Sequence, residues 1–258
     1  MARTGRLTQY LMPAALVLVA AVLALTGYAM LSGDDFTPDS GKAGASATAT
    51  ASPSAGYAPP PDWTEPDRWA ALPRGERTDA RGMEVGFPRT TEGAVAMMAA
   101  SNSTRLEGAY DNHQAQLRLF DSYLIAADRT ETNREAVELA GIEADKQVRR
   151  TLGLPTGSDL PPGAYVRTHV VGFKVISQSP TEVSAWLLSR VTMKAGETQR
   201  ETGSYMRSVV AVQWDGDWKT SLAAYTRAMT AGTPQPEIVA PGDPAFNSSA
   251  WTAIREAS

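Results

Sequence analysis

The run LMPAALVLVAAVLALTGYAML, Leu11 to Leu31, carries no charged side chain. About 20 consecutive apolar residues are what a helix needs to span the hydrocarbon core of a bilayer, and a helix satisfies all its backbone hydrogen bonds internally there. Pro13 falls within the first turn, where a missing N–H does no harm. Arg3 and Arg6 precede the run and Asp34 and Asp35 follow it. Because Lys and Arg stay on the cytoplasmic side, residues 1–10 are expected inside and everything after residue 31 outside. Gly27 to Ala29 has the small residues a signal peptidase accepts, but the run exceeds the roughly 7–15 residues usual in a cleaved signal. An uncleaved single-pass anchor in the plasma membrane is therefore the expectation. The chain has no cysteine, which removes a lipoprotein anchor, disulfides and thiolate metal sites together.

Beyond the anchor the composition changes abruptly. Residues 32–62 are mostly Ala, Ser, Thr, Gly and Pro with little to bury, so a disordered tether is expected. A flexible chain of that length has an r.m.s. span of roughly 30 Å. Residues 63–84, with Trp63 and Trp69 among prolines, read as an extended arm that packs onto a domain over 85–228. Residues 229–258 form a tail with no period, in which SAWTAIREA could make a few helical turns. A net charge of -4 argues against a nucleic-acid partner, which normally selects a basic stripe.

Within 85–228 the apolar spacing first follows a helix and then a strand. Thr90 or Thr91 can cap a helix whose small-residue face is Ala94, Val95, Met97 and Met98. Leu117, Phe120, Tyr123 and Leu124 mark a second helix over about 112–126. In the third, Thr132 and Glu135 have capping-box spacing, the apolar stripe is Val137, Leu139, Ala140, Ala144 and Val148, and Gly153 and Pro155 end it. Residues 164–178, 182–194, 205–214 and about 218–224 then alternate with period two. Helices first and an antiparallel meander after predict an α+β fold, three helices packed on a curved four-stranded sheet.

Three helices followed by a meander ending in VQWDGDWK resembles the nuclear transport factor 2-like fold, a cone-shaped α+β domain. With one membrane helix and a low-complexity tether in front, the chain is similar to the inner-membrane assembly subunit of type IV secretion and its conjugative relatives. VGFPRTTEGAV, Val85 to Val95, also looks like actinobacterial membrane proteins of integrative and conjugative elements. Mce-associated membrane proteins share the architecture. The resemblance implies a non-catalytic extracytoplasmic scaffold that contacts other proteins of a membrane complex and needs no cofactor. An accessory of a lipid importer, or a cone that binds or transforms a small molecule, are the alternatives.

Site candidates are few. The chain has no GxSxG, no phosphate-binding glycine loop and no HExxH, and its only histidines are His113 and His169. Alternation places His169 on one strand face with Tyr165, Val171, Phe173 and Val175, the expected cone interior, where a histidine could act as acid or base. No second polar group can be set beside it, so His169, Tyr165 and Phe173 are a candidate pocket and not an expected catalytic centre. Trp186 and Leu188 fall on the outer face, either as an interface that also permits self-association or beneath the Trp63–Trp69 arm or the tail. Asp215, Gly216 and Asp217 read as a hairpin turn. A three-residue loop would put Trp214 and Trp218 on one face with Val210 and Val212, leave Asp217 left-handed, and set both carboxylates at a solvated tip.

Overall fold

A computed structural model describes residues 62–108, 112–155 and 157–255. The expected cytoplasmic N-terminus, the membrane helix and all but the end of the tether lie outside them. Among the described residues no helix is long and apolar enough to cross a membrane. In chain order the elements are β1 (Trp69–Ala71), β2 (Arg77–Thr78), β3 (Glu84–Val85), α1 (Thr91–Asn102), β4 (Thr104–Glu107), α2 (Asn112–Tyr123) and α3 (Glu131–Thr151). There follow β5 (Ala164–Gln178), β6 (Glu182–Ala195), β7 (Thr202–Trp214), β8 (Trp218–Thr220), α4 (Leu222–Thr230), α5 (Pro244–Ser248) and β9 (Thr252–Arg255). The fold is α+β, as the spacing predicts.

The helices form for local reasons. Thr90 caps α1, its hydroxyl accepting from the Gly93 amide at 3.0 Å. Gly93 is there because the chain doubles back: a Cβ would sit 1.9 Å from the Pro88 carbonyl oxygen. The cap of α3 is Thr130, accepting from the Asn133 amide at 3.2 Å, two residues before the expected Thr132. The buried stripe of α3 is Val137, Gly141, Ala144 and Val148. Leu139 is not in it. At about 100° per residue it lies some 200° round the helix from Val137, and it is 67% exposed. Gly141 fills the stripe instead because α2 crosses there, a Cβ meeting the His113 Cα at 2.6 Å.

The sheet corrects the expected four antiparallel strands. It is mixed and seven-stranded, in the order β1-β9-β5-β6-β7-β8, with β4 also paired to β5. β5, β6 and β7 make the expected meander. The fourth strand ends early at Thr220, where Ser221 caps α4. The arm and the tail supply the remaining strands: β9 runs antiparallel to β5, and β1 runs parallel to β9. Thr252–Arg255 of the tail thus form a strand and not helical turns, because its apolar residues Phe246, Trp251 and Ala253 are buried against the sheet.

β5 changes neighbours partway. Tyr165 to Thr168 pair with β4, whereas Gly172 and Phe173 pair with β9. Between these segments the register against β6 shifts, from Val170↔Ser189 to Gly172↔Leu188. An extra residue in one strand reverses which face every later side chain takes. Val166 and Val170 before the shift, and Phe173 and Val175 after it, all reach the inner face against the helices. Val171 and Ile176 point to the outer face, where Phe246, Trp251, Ala224 and Ala228 cover Trp186 and Leu188.

The outer cluster is as dry as the inner one: Phe246 is fully buried. Replacing Phe246 with Ala should cost about 3–5 kcal/mol, read as a lower urea midpoint with unchanged slope. Leu139→Ala should change stability by no more than about 0.5 kcal/mol, as exposed positions do.

Candidate functional site

The QWDGDWK turn is a three-residue loop. Trp214 and Trp218 are direct cross-strand partners, their rings edge to face at 5.4 Å, and both pack with Val210 and Val212. The Asp215 amide donates to the Asp217 carbonyl at 2.9 Å. Gly216, at φ +71°, takes the left-handed position expected of Asp217. Asp215 is exposed at the tip, but Asp217 is not: it is 7% exposed. Its carboxylate accepts from the amides of Gly86 at 2.9 Å, Phe87 at 3.1 Å and Trp218 at 2.8 Å, with Lys219 Nζ at 3.5 Å. The chain that follows the β2–β3 hairpin lies against the turn and delivers those amides, and Trp218 donates its indole N–H to the Pro88 carbonyl at 2.9 Å. Asp217 is a structural anchor between two parts of the chain far apart in sequence.

The candidate pocket on β5 is separated. Phe173 is in the inner core, whereas Tyr165 and His169 stand on the outer face and His169 is exposed. The register shift is the reason, since alternation counted through it assigns the wrong side. Tyr165 donates to Glu201 and lies under the Arg167 guanidinium, 4.0 Å from its ring centre. Trp186 and Leu188 do lie on the outer face, at 7% and 0% exposure. Cover by the tail, with Trp69 of the arm packed against it, is the outcome of the two readings.

Other acids are likewise held in place. Burial pushes the Asp79 carboxyl up, but the Ser122 hydroxyl and the Met83 and Arg81 amides outweigh it and leave Asp79 below the ordinary carboxylate range. The Arg227 guanidinium, bonded to Glu182, lowers that carboxyl too, against a smaller opposing effect of burial. Burial raises the Tyr123 hydroxyl well above the usual phenol range, and it donates to the Glu84 carbonyl at 2.8 Å.

An open cleft of about 650 Å³ lies between β3, the end of α1, β4 and α2. Met83, Ala100, Ala115, Leu119 and the Tyr123 ring form its apolar lining, with Glu84 and Arg105 among its polar groups. Thr104 also lines it, with a buried hydroxyl that has no hydrogen-bond partner. Its cross-strand neighbour Thr168 is in the same condition. Buried hydroxyls nearly always find partners, so the Thr104 hydroxyl, which lines the cleft, is where a ligand's polar group would gain most. An apolar lining with a few polar groups is the usual make-up of a small-molecule site. Among the described residues no three His, Cys, Asp or Glu side chains are grouped to hold a metal ion. Sequence reasoning missed the cleft because only the β4–β5 pairing brings Thr104 beside Thr168.

A scan of protein-family models and searches of curated proteins and of solved structures find no match to this chain.

Asp217→Ala should destabilise the domain by about 3 kcal/mol, since it strands buried amides, and Asp217→Asn by less, as measured by urea unfolding. Asp79 and Glu182 have folded pKa values below their unfolded ones, so their contribution is complete above about pH 4–5 and is lost as pH falls through the lowered values. Acid titration of the unfolding midpoint should show this fall, and Glu182→Gln should flatten it.

Proposed function

We propose that the chain is a single-pass membrane protein whose extracytoplasmic α+β domain works through protein–protein contacts as a non-catalytic assembly subunit of a conjugative or type IV secretion-like complex. A cone-shaped, nuclear transport factor 2-like architecture is part of this reading, with helices on the inner face of a curved sheet as its support. The observation that carries it is the outward face of α3. That helix buries Val137, Gly141, Ala144 and Val148 and presents Leu139 and Ile142, at 67% and 37% exposure, one turn apart. An apolar pair with no role in the core, set on a rigid helix, is where a partner would gain burial. The Leu11–Leu31 anchor and the tether would keep the domain close to other membrane proteins, raising its effective concentration for weak contacts.

A second reading, a small-molecule-binding cone, is favoured by the unpartnered Thr104 hydroxyl at the cleft. An accessory role in a lipid importer differs from the first reading only in the partner.

A photo-crosslinking residue at position 142 in the full chain should capture conjugation ATPases or channel subunits in cells. Leu139→Lys with Ile142→Lys should abolish capture while leaving the urea midpoint within about 0.5 kcal/mol. Capture of lipid-transport components alone would favour the importer. Undiminished capture by the double variant would remove α3 as the contact.

A further inference from the structure

The tail covers only part of the sheet's outer face. Its margin is marked by Arg207, which donates to Pro236 and Gln235 of the tail and lies 5.5 Å from the Trp186 ring centre. Beyond that margin the long strands present a half-exposed surface made of three cross-strand rows, with Tyr205 at its edge packed against the covered cluster. In the first, Glu107 stands opposite Tyr165 and Tyr165 opposite Lys194. The second sets Arg105 opposite Arg167, and Arg167 opposite Thr192. The third runs from His169 through Arg190 to Tyr205.

Two guanidiniums therefore face one another across strands, at Arg105↔Arg167, and the His169 ring stands opposite Arg190. Like charges directly opposite destabilise a sheet. Glu107 relieves the first pair, at 2.8 Å from Arg105 and 3.3 Å from Arg167. At the rim Glu201 is bonded to Tyr165. Among the described residues His169, Arg190 and Lys194 have no carboxylate partner, and the buried Arg167 Nε donates to nothing. The Arg190 guanidinium lies over Gly203, 3.8 Å from where a Cβ would stand. A chain of net charge -4 thus gathers Arg105, Arg167, Arg190 and Lys194 on one side of the sheet, with Glu107 and Glu201 as the carboxylates bonded among these rows.

The place where the described chain begins bears on what meets that surface. Thr64 bonds to the Gly242 carbonyl at 2.8 Å, and Glu65 and Asp67 bond to Asn247 of α5, which with Phe246 belongs to the outer-face cover. The described chain therefore begins on the outer-face side, the side that presents the cations.

We propose that this open half of the outer face docks on the anionic phospholipid headgroups of the membrane that holds the chain, with Arg105, Arg167, Arg190 and Lys194 meeting phosphates and Tyr165 and Tyr205 at the interface. The proposal rests on the anchored reading above and adds an orientation to it: the sheet lies against the bilayer, and α3, on the opposite side of the sheet, is left free for partners. Each basic residue near an anionic surface is worth about a fivefold gain in binding, and the attraction fades beyond about 10 Å at 0.1 M salt.

The absence of cysteine makes the test clean. Thr192→Cys in the full chain, labelled with an environment-sensitive dye, is reconstituted in phosphatidylcholine bilayers with and without 30% phosphatidylglycerol. A blue shift in the anionic bilayer only, reversed by 0.5 M salt and lost in Arg167→Gln with Arg190→Gln, is the expected result. The double variant should lose roughly 25-fold in docking at two basic residues, and the salt reversal stands even where that variant folds poorly. Equal emission in the two bilayers would overturn the proposal. So would a shift produced by soluble polyglutamate and not by the lipid, which would assign the face to an acidic protein segment. Flotation with neutral vesicles separately reports whether the chain inserts at all. A chain that floats without a shift keeps its anchor and loses the docking face. A chain that does not float loses the anchored reading, and the shift on adding anionic vesicles still decides the face.

Discussion

The one-residue register shift in β5 between Val170 and Gly172 governs the architecture. Before it, even-numbered side chains face the helices; after it, odd-numbered ones do as far as Val175, where a second shift reverses the facing again for Ser177 and Gln178. One long strand can therefore keep an apolar row on the inner face along its whole length while it exchanges β4 for β9 as a neighbour. Gly172 is part of this exchange. Its position lies 3.2 Å from the Thr252 carbonyl and 3.4 Å from the Phe246 ring, measured from where a Cβ would stand. Without the shift, Phe173 and Val175 would turn outward and the inner core would lose a wall.

Much of the fold was legible because it follows local periodicity. Thr90 as a cap, the small-residue face of α1, the bounds of β5 and the pairing of Trp214 with Trp218 all come from spacing that two or three turns or pleats decide. What was not legible depends on partners remote in sequence. Alternation carried His169 to the inner face because a bulge leaves no mark in a run of β-formers. An apolar pattern puts Leu139 in the core because the residue that does fill the crossing with α2 is a glycine, invisible to such a pattern. Asp217 read as solvated because the amides it accepts belong to Gly86 and Phe87, some 130 positions earlier.

The same distinction runs through the site. A signature motif would have announced a catalytic centre, and the chain carries none. The Thr104–Thr168 pair and the cationic rows exist only once β4, β5, β6 and β7 are in register, so they are properties of the sheet and not of any segment. Both faces of the sheet are thereby divided. The inner one is packed at Phe173 and Val210 and holds unpaired hydroxyls nearer β4. The outer one is covered over Trp186 and bare over Arg190.

The parallel pairing of β1 with β9 bears on how the chain acquires its shape. Trp69 meets Ala253, so the earliest strand of the sheet closes only on the latest. Such remote contacts form late, after the loop between them has been closed. During synthesis the meander of β5 to β7 can assemble while Trp186 and Leu188 still face water, and they are sealed only when Phe246 and Trp251 arrive. A chain lacking Phe246 and Trp251 would offer an open apolar sheet to its neighbours, so these two rings decide whether the outer face is a core or an adhesive surface.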